Sequence, residues 1–160
     1  MPRFSDVPAH IDRLIADHVK LYLEHPERAH LWDSSPVGVP GPVATLLLTT
    51  KGRKTGKERH APLLYLEREG AYVVIGSKGG NPDDPIWYLN LQSDAECDIR
   101  VGAYHTRARA RTLESEEREA VWKEVVRKHP VYVKYQKRTG RQIPVILLEP
   151  IRTGADRTRT

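Results

Sequence analysis

The stretch Ala71-Tyr-Val-Val-Ile75-Gly-Ser-Lys-Gly-Gly80-Asn-Pro-Asp-Asp-Pro85-Ile-Trp-Tyr-Leu-Asn-Leu91 decides how the rest of the chain is read. Residues 71–75 form a short apolar run, rich in β-branched and aromatic side chains, which predicts a buried strand. The chain then turns through Gly79, Gly80 and Pro82. Asp84 is placed to cap a short helix whose first residue is Pro85. A strand end, a glycine turn and a helix start together leave backbone N–H groups that can hold an anion. Ser77 and Lys78 add a hydroxyl and a cation at the same corner, and Trp87 and Tyr88 add planar faces just inside the helix. The set suits a ligand with a flat ring and a negative tail. It equally suits a tight strand-to-helix connection whose aromatics pack in the core.

Outward from that stretch, residues 44–50 and 59–66 read as strands. They are joined by the glycine-bounded hairpin loop Lys51-Gly-Arg-Lys-Thr-Gly-Lys-Glu58. A turn at 67–70 leads into the strand at 71, so three antiparallel strands follow one another as a meander. Residues 98–101 and 104–113 predict a second hairpin around Gly102-Ala103. In it Arg107, Arg109 and Arg111 alternate with Ala108 and Ala110 and share one face of the sheet. Residues 142–149 predict the last strand. Helices bracket this sheet. Residues 6–24 place Ile11, Leu14, Ile15, His18 and Tyr22 on one stripe, and His25-Pro26 ends the pattern. Ser115 is placed as the N-cap of a helix that stops at His129-Pro130, with Glu116 and Glu117 in its first turn. A further short helix over 130–138 sets Tyr132 and Tyr135 on one side. Residues 28–42, with Trp32, are expected as a loop that covers a pocket or serves as a linker. The class is α+β with an antiparallel, barrel-like sheet and flanking helices.

A chain of 160 residues fits one domain. Its longest apolar runs, at 46–48 and 145–148, are far too short to cross a bilayer, and the amphipathic N-terminal pattern is not a signal region. The one cysteine, Cys97, lies between two acids, which argues against an activated thiolate. A cytoplasmic location is expected, with peripheral membrane contact left open for the N-terminal helix. The net charge of +5 is uneven. Lys51, Arg53, Lys54, Lys57 and Arg59 crowd one turn, and Arg127, Lys128, Lys134, Lys137, Arg138 and Arg141 form a second cluster. Such clusters point to nucleic acid, an acidic membrane surface or an anionic small molecule, unless they are solvated faces.

Several chemistries fail on spacing. Only three residues separate Gly52 from Gly56, and Glu58 stands where a phosphate loop needs Ser or Thr. A dinucleotide fingerprint, HExxH, CxxC and a nucleophile elbow around Ser77 are all absent, so no metal site is expected. What remains is a ligand-binding constellation, and such a protein can still be an enzyme if a cofactor supplies the chemistry.

Three blocks resemble the deazaflavin-dependent nitroreductases, split-barrel reductases that use coenzyme F420. They are Leu46-Leu-Leu-Thr-Thr-Lys-Gly-Arg-Lys-Thr-Gly-Lys-Glu-Arg59 with Pro62-Leu63, the opening stretch to Leu91, and residues 130–144 with Tyr132, Tyr135-Gln136, Thr139 and Ile143-Pro144. The resemblance implies a split antiparallel β-barrel of the flavin-reductase and PNP-oxidase kind. It places a single deazaflavin-binding domain at 1–150, with a helix and loop at 6–43, the barrel at 44–150 and a disordered tail at 151–160. It also implies a bound 8-hydroxy-5-deazaflavin with a phosphate and an oligoglutamate tail. Arg53, Lys54, Thr55 and Arg59 match positions near that phosphate and tail. His60, Ala61, Pro62, Leu63 and Leu64 match positions along the ring, as do Ile75, Gly76, Ser77 and Lys78. Ile86, Trp87, Tyr88, Leu89 and Asn90 fall in the segment near the linker and phosphate.

On the same resemblance, Tyr132 and Tyr135 cover the acceptor, and Ser77 or a tyrosine donates a hydrogen bond to its oxygen. The family position matching His129 is a tyrosine in nitroimidazole-activating members, so quinones are expected ahead of bulky bicyclic nitroimidazoles. The expected activity is hydride transfer from the reduced deazaflavin to quinones, nitroaromatics or activated enones. The alternatives are an FMN-dependent reductase of the same fold and a non-catalytic deazaflavin carrier. The expected partner is a small-molecule electron acceptor, with the chain a monomer or homodimer. A nucleic-acid module is disfavoured because the aromatics are not interleaved with the basic residues.

Overall fold

The structure is a computed structural model in which residues 9–35, 39 and 41–151 are described. Helix α1 (Ala9–Glu24) and the single turn α2 (Pro26–Ala29) precede strand β1 (Leu31–Trp32). Strands β2 (Val43–Lys51), β3 (Glu58–Leu64), β4 (Leu66–Arg68) and β5 (Ala71–Ile75) follow, then α3 (Ile86–Ser93). Strands β6 (Glu96–Val101) and β7 (Tyr104–Thr112), helices α4 (Ser115–Lys128) and α5 (Val131–Lys137), and strand β8 (Val145–Pro150) complete the order. All strand pairs are antiparallel, in the order β1-β2-β6-β7-β8-β5-β4, with β3 on the other side of β2. Because β3 and β4 are one chain interrupted only at Tyr65, the sheet curls back on itself as a split antiparallel barrel.

Period-two alternation sorts the apolar residues onto its two faces. Leu46, Leu48, Tyr72, Val74, Ile99, Ile146 and Leu148 fill the barrel together with Tyr88 and Leu91 of α3. Val73, Ile75, Val145 and Leu147 point outward and are covered by Val121 and Val125 of α4 and Tyr132 of α5. Leu47, between two barrel residues, packs outward against Tyr22 and Ala29. Strand β2 is therefore apolar on both faces, and each fully buried leucine contributes about 1.5–3 kcal/mol.

The meander is interrupted. Residues 59–66 are not one strand: β3 follows β2, while β4 leaves it to pair with β5. The break falls at Tyr65, whose hydroxyl meets His30 Nε2 at 2.8 Å and whose ring meets Tyr72 edge-on. Among the described residues the far edge of β3 carries no ladder, which suits Pro62, a residue with no N–H to offer.

Other expectations shift at their ends. Asp84 does not cap α3; Pro85 holds the cap position and Asp84 is taken by Arg141 at 3.0 Å. Glu114, not Ser115, precedes α4, and Ser115 is its first residue at φ 54°. The loop at 28–42 contains β1, and Trp32 stacks on His18 with centroids 5.1 Å apart. Ile151 is tied by its N–H to the Arg107 carbonyl at 2.9 Å, whereas the tail at 152–160 and the helix start at 6–8 lie outside the described residues. No helix among the described residues is long and apolar enough to cross a membrane.

Candidate active site

The split between β3 and the end of β5 opens into a cavity of about 860 Å³. Six consecutive β3 residues, Arg59 to Leu64, border it. Neighbours in a strand point to opposite faces, so the cavity wraps around the strand's free edge. The facing wall is Ile75, Ser77 and Lys78, with Tyr132 and Tyr135 of α5. The basic loop Gly52 to Thr55 and the start of α3, with Ile86, Trp87 and Asn90, complete it.

The turn after β5 is set by close packing and by two arginines. Residues Lys78–Gly80 make a 3-10 turn, and a side chain at Gly80 would come within 2.5 Å of the Tyr135 carbonyl. Arg141 Nη1 donates to the Gly76 carbonyl at 3.1 Å, Nη2 to that of Ser77 at 2.9 Å, and Nε to that of Asn81 at 2.9 Å. Arg138 lies over the Tyr135 ring at 5.6 Å and donates to the Gly79 carbonyl. The second basic cluster thus supplies two structural cations, and the wall bearing Ser77 is held by residues far along the chain.

The basic loop is fastened by Asn90, only 1 % exposed. Its Oδ1 accepts the Arg53 N–H at 3.1 Å, and its Nδ2 donates to Thr50 Oγ1 at 3.0 Å. Inside the loop, Thr55 Oγ1 accepts the Lys57 N–H and Gly52 exchanges backbone bonds with Lys57 and Gly56. The side chains of Arg53, Lys54, Arg59 and Lys78 have no ion-pair or hydrogen-bond partner among the described residues. The arginine stripe on β7 behaves differently. Arg107 pairs with Glu96 and Asp98, Arg109 with Glu96, and Arg111 with Glu117 and Glu149. Among the described residues the cations at the cavity are unpaired, while those on β7 are neutralised by the protein.

Tyr132 is buried with its ring edge-on to Tyr135 at 5.8 Å and to His129 at 6.2 Å. Burial pushes its phenol well above the ordinary value of 10, so it stays a proton-bearing donor. Tyr135 is raised in the same way, against a smaller opposing pull from Arg138. His129 borders two smaller cavities, one shared with Tyr132 and one with Val39, and not the main one. Its pKa is lowered by burial and by Lys128.

Most residues singled out from the sequence come together here, with three exceptions. Tyr88 turns into the barrel core, where its hydroxyl meets Thr112 Oγ1 at 3.0 Å. Gly76 faces Pro144, whose Cγ lies 2.7 Å from where a side chain would begin. Leu89 does not border the cavity. Ile15, Val39, Gly52 and Pro85 border it without having been foreseen. The stripe on α1 marked Ile15 as apolar but not what it would meet; it is exposed at the rim of the cavity. No group of three or more metal-ligating side chains occurs among the described residues.

A split barrel with a cation-rimmed cavity in its opening is the frame for a bound anionic ligand. Comparison with known proteins gives the particular family. Residues 24–150 match the F420H(2)-dependent quinone reductase family, and the chain belongs to it. The F420H(2)-dependent quinone reductase Rv1261c of Mycobacterium tuberculosis is 35 % identical over 114 residues, which span 69 % of this chain and 76 % of the relative. A solved F420-H2 dependent reductase is 42 % identical at a TM-score of 0.61, covering 66 % of this chain and 93 % of that one. A second solved structure, described as a domain-swapped dimer, has the same identity and TM-score and covers 66 % and 79 %.

Proposed function

We propose that this chain is a coenzyme F420-dependent reductase that delivers a hydride to quinones, with nitroaromatics and activated enones as further acceptors. The observation that carries the reading is the contrast in charge pairing: among the described residues Arg53, Lys54, Arg59 and Lys78 stand unpaired around the cavity, in a protein that neutralises its other arginine stripe. The residues fit the cofactor. The four cations suit a phosphate and a carboxylate tail, where charge-assisted hydrogen bonds are strongest. Trp87 and the β3 edge offer a slot for a planar ring, and about 860 Å³ lies at the upper end of the range for ligand pockets, with room for a second planar molecule.

When bound, the reduced deazaflavin supplies the hydride from its ring carbon five. The chain's residues do the rest. Asn90 holds the basic loop against α3, and Arg141 holds the Ser77 wall. Ser77, 9 % exposed and bordering the cavity, and Tyr132 donate to the acceptor oxygen as charge gathers there. Holding two rings face to face in a partly closed site contributes through positioning. A homodimer is the assembly we carry forward, on the precedent of the similar structure described as a domain-swapped dimer. A cytoplasmic protein whose α1 touches a membrane surface is part of the same reading, since Ile15 and Leu23 are exposed on that helix.

Fluorescence titration of the purified protein with F420 and with FMN tests the cofactor. F420 should bind more tightly, because FMN lacks the carboxylate tail. Comparable or tighter binding of FMN would assign the site to a flavin instead.

A further inference from the structure

The free edge of β3 divides the cavity into two chemically different halves. Residues paired across an antiparallel ladder share a face. Thr50 pairs with Arg59, Leu48 with Ala61 and Leu46 with Leu63, so Arg59, Ala61 and Leu63 face the barrel side. There Trp87, Asn90 and the basic loop join them. Thr49 pairs with His60, Leu47 with Pro62 and Thr45 with Leu64. Leu47 packs under Tyr22 and Ala29, and Thr45 Oγ1 donates to the Ala29 carbonyl at 3.2 Å. His60, Pro62 and Leu64 therefore lie on the face covered by α1, with Ile15 and Val39 also at the cavity. One half is cationic; the other is apolar, with His60 as its one polar side chain among these residues.

His60 is held in a defined way. Its Nδ1 lies 2.8 Å from Thr49 Oγ1, which stands directly across the ladder. Either atom can donate in that contact; when the Thr49 hydroxyl donates to Nδ1, the ring proton sits on Nε2, an atom with no partner among the described residues. A carbonyl acceptor in an otherwise apolar space loses its water hydrogen bonds and needs a donor in exchange.

We propose that the Thr49 hydroxyl donates to His60 Nδ1 and that His60 Nε2–H donates to a carbonyl oxygen of the quinone on the α1 side of the cavity. The proposal rests on the functional reading above and assigns His60 to the acceptor rather than to the cofactor. Reduction of a quinone adds a hydride, supplied by the reduced cofactor, and a proton, supplied by water, and yields the hydroquinone. The two carbonyl π bonds are lost as the ring becomes aromatic, and negative charge collects on oxygen before the proton arrives. A donor already aimed at that oxygen stabilises the charge. A para-quinone has two such oxygens. The wall of Ser77 and Tyr132 serves one and His60 the other, so His60 favours acceptors with a second carbonyl over those with a single polar group.

The test uses the full chain loaded with F420 and menadione as the acceptor. His60→Ala should lower kcat/KM for menadione by roughly 10–100-fold, somewhat less than loss of a fully enclosed oxyanion donor. His60→Gln keeps an N–H and should fall by only about threefold, the effect of a weakened neutral hydrogen bond. Thr49→Val should lose part of the rate and Thr49→Ser should restore it. F420 affinity, read by fluorescence, should stay near the wild-type value in all four. In the wild type carrying oxidised F420, addition of menadione should move the 15N signal of His60 Nε2. An unmoved signal, or menadione kcat/KM in His60→Ala equal to wild type, overturns the proposal and leaves the reductase reading intact. Loss of F420 affinity in His60→Ala overturns it too, by returning the residue to the cofactor. A wild type that binds F420 but does not pass its hydride to menadione overturns the functional reading itself, and this proposal with it.

Discussion

Arg141 Nη2 donates to the backbone carbonyl of Ser77 at 2.9 Å, across 64 residues of chain. The same guanidinium reaches Gly76, Asn81 and Asp84, so one half-buried side chain sets the path from the end of β5 to the start of α3. Arg141→Ala should lower unfolding free energy by about 1.5–3 kcal/mol, the range for a hydrogen-bonded charged group. It should weaken F420 binding as well, because the Ser77–Lys78 wall loosens. Arg141→Lys keeps the charge but not the planar fork and should recover less than half of either loss. Denaturant melts and cofactor titrations on both variants check this; wild-type values in Arg141→Ala would contradict it.

The unpaired cations and the neutralised stripe should separate cleanly. Lys54→Ala and Arg59→Ala are each expected to weaken F420 binding by about 1.5–3 kcal/mol if each makes one charge-assisted hydrogen bond. The loss should shrink as salt rises, since the wild-type attraction is itself screened. Arg107→Ala and Arg109→Ala, on the paired stripe, should leave F420 affinity at wild type. Fluorescence titration at two salt concentrations reads all four; equal effects at loop and stripe would mean that the loop is a solvated hairpin.

How much of this was legible in the sequence follows from which interactions are local. Glycines and prolines mark the turn at 76–85 and the hairpin loop at 52–56, and alternation on β7 puts its arginines on one face. Residues 59–66 read as one strand because nothing in that apolar run shows that its two parts choose different partners, β2 and β5. That choice is tertiary, and it opens the cavity. Asp84 looks like a cap because Arg141 is distant in sequence. Ion pairing of the β7 stripe depends on the register with β6 and on the placement of Glu117 and Glu149, none of which spacing reveals. The block Ile86 to Asn90 reads as one unit, yet helical geometry sends Tyr88 into the barrel while Ile86, Trp87 and Asn90 border the cavity.

Tyr132 combines packing and chemistry, and two substitutions divide them. Tyr132→Phe preserves the ring contacts with Tyr135 and His129 and removes only the hydroxyl, so stability should hold while menadione turnover falls by about 10-fold or more, as for a lost transition-state donor. Tyr132→Ala should lose both, by about 3–5 kcal/mol in stability, as for a truncated core aromatic. Since burial keeps the phenol protonated above its ordinary value of 10, wild-type turnover should show no loss from this group between pH 7 and 10. Full activity in Tyr132→Phe would make the residue a core anchor only.

His18 links stability to acidity. It is buried on the inner face of α1, with Nε2 at 2.9 Å from the Ala29 carbonyl, and burial lowers its pKa from the ordinary 6.5 more than that bond raises it. His129 is lowered likewise. In both cases the unfolded chain takes up a proton more readily than the folded one. Stability is therefore fully present above pH 6.5 and declines as pH falls below it towards the folded values. Urea melts from pH 7.5 to 5 should show this slope, and His18→Gln should flatten it. A slope unchanged in His18→Gln would remove His18 as a cause.

The most direct test of the account is anaerobic mixing of F420-reduced enzyme with menadione, followed by the return of the oxidised deazaflavin's absorbance. Oxidation far above the rate in buffer is expected, saturating in both enzyme-bound cofactor and menadione. Oxidation no faster than in buffer, from a protein shown to bind the cofactor, would contradict it and leave a carrier in place of an enzyme.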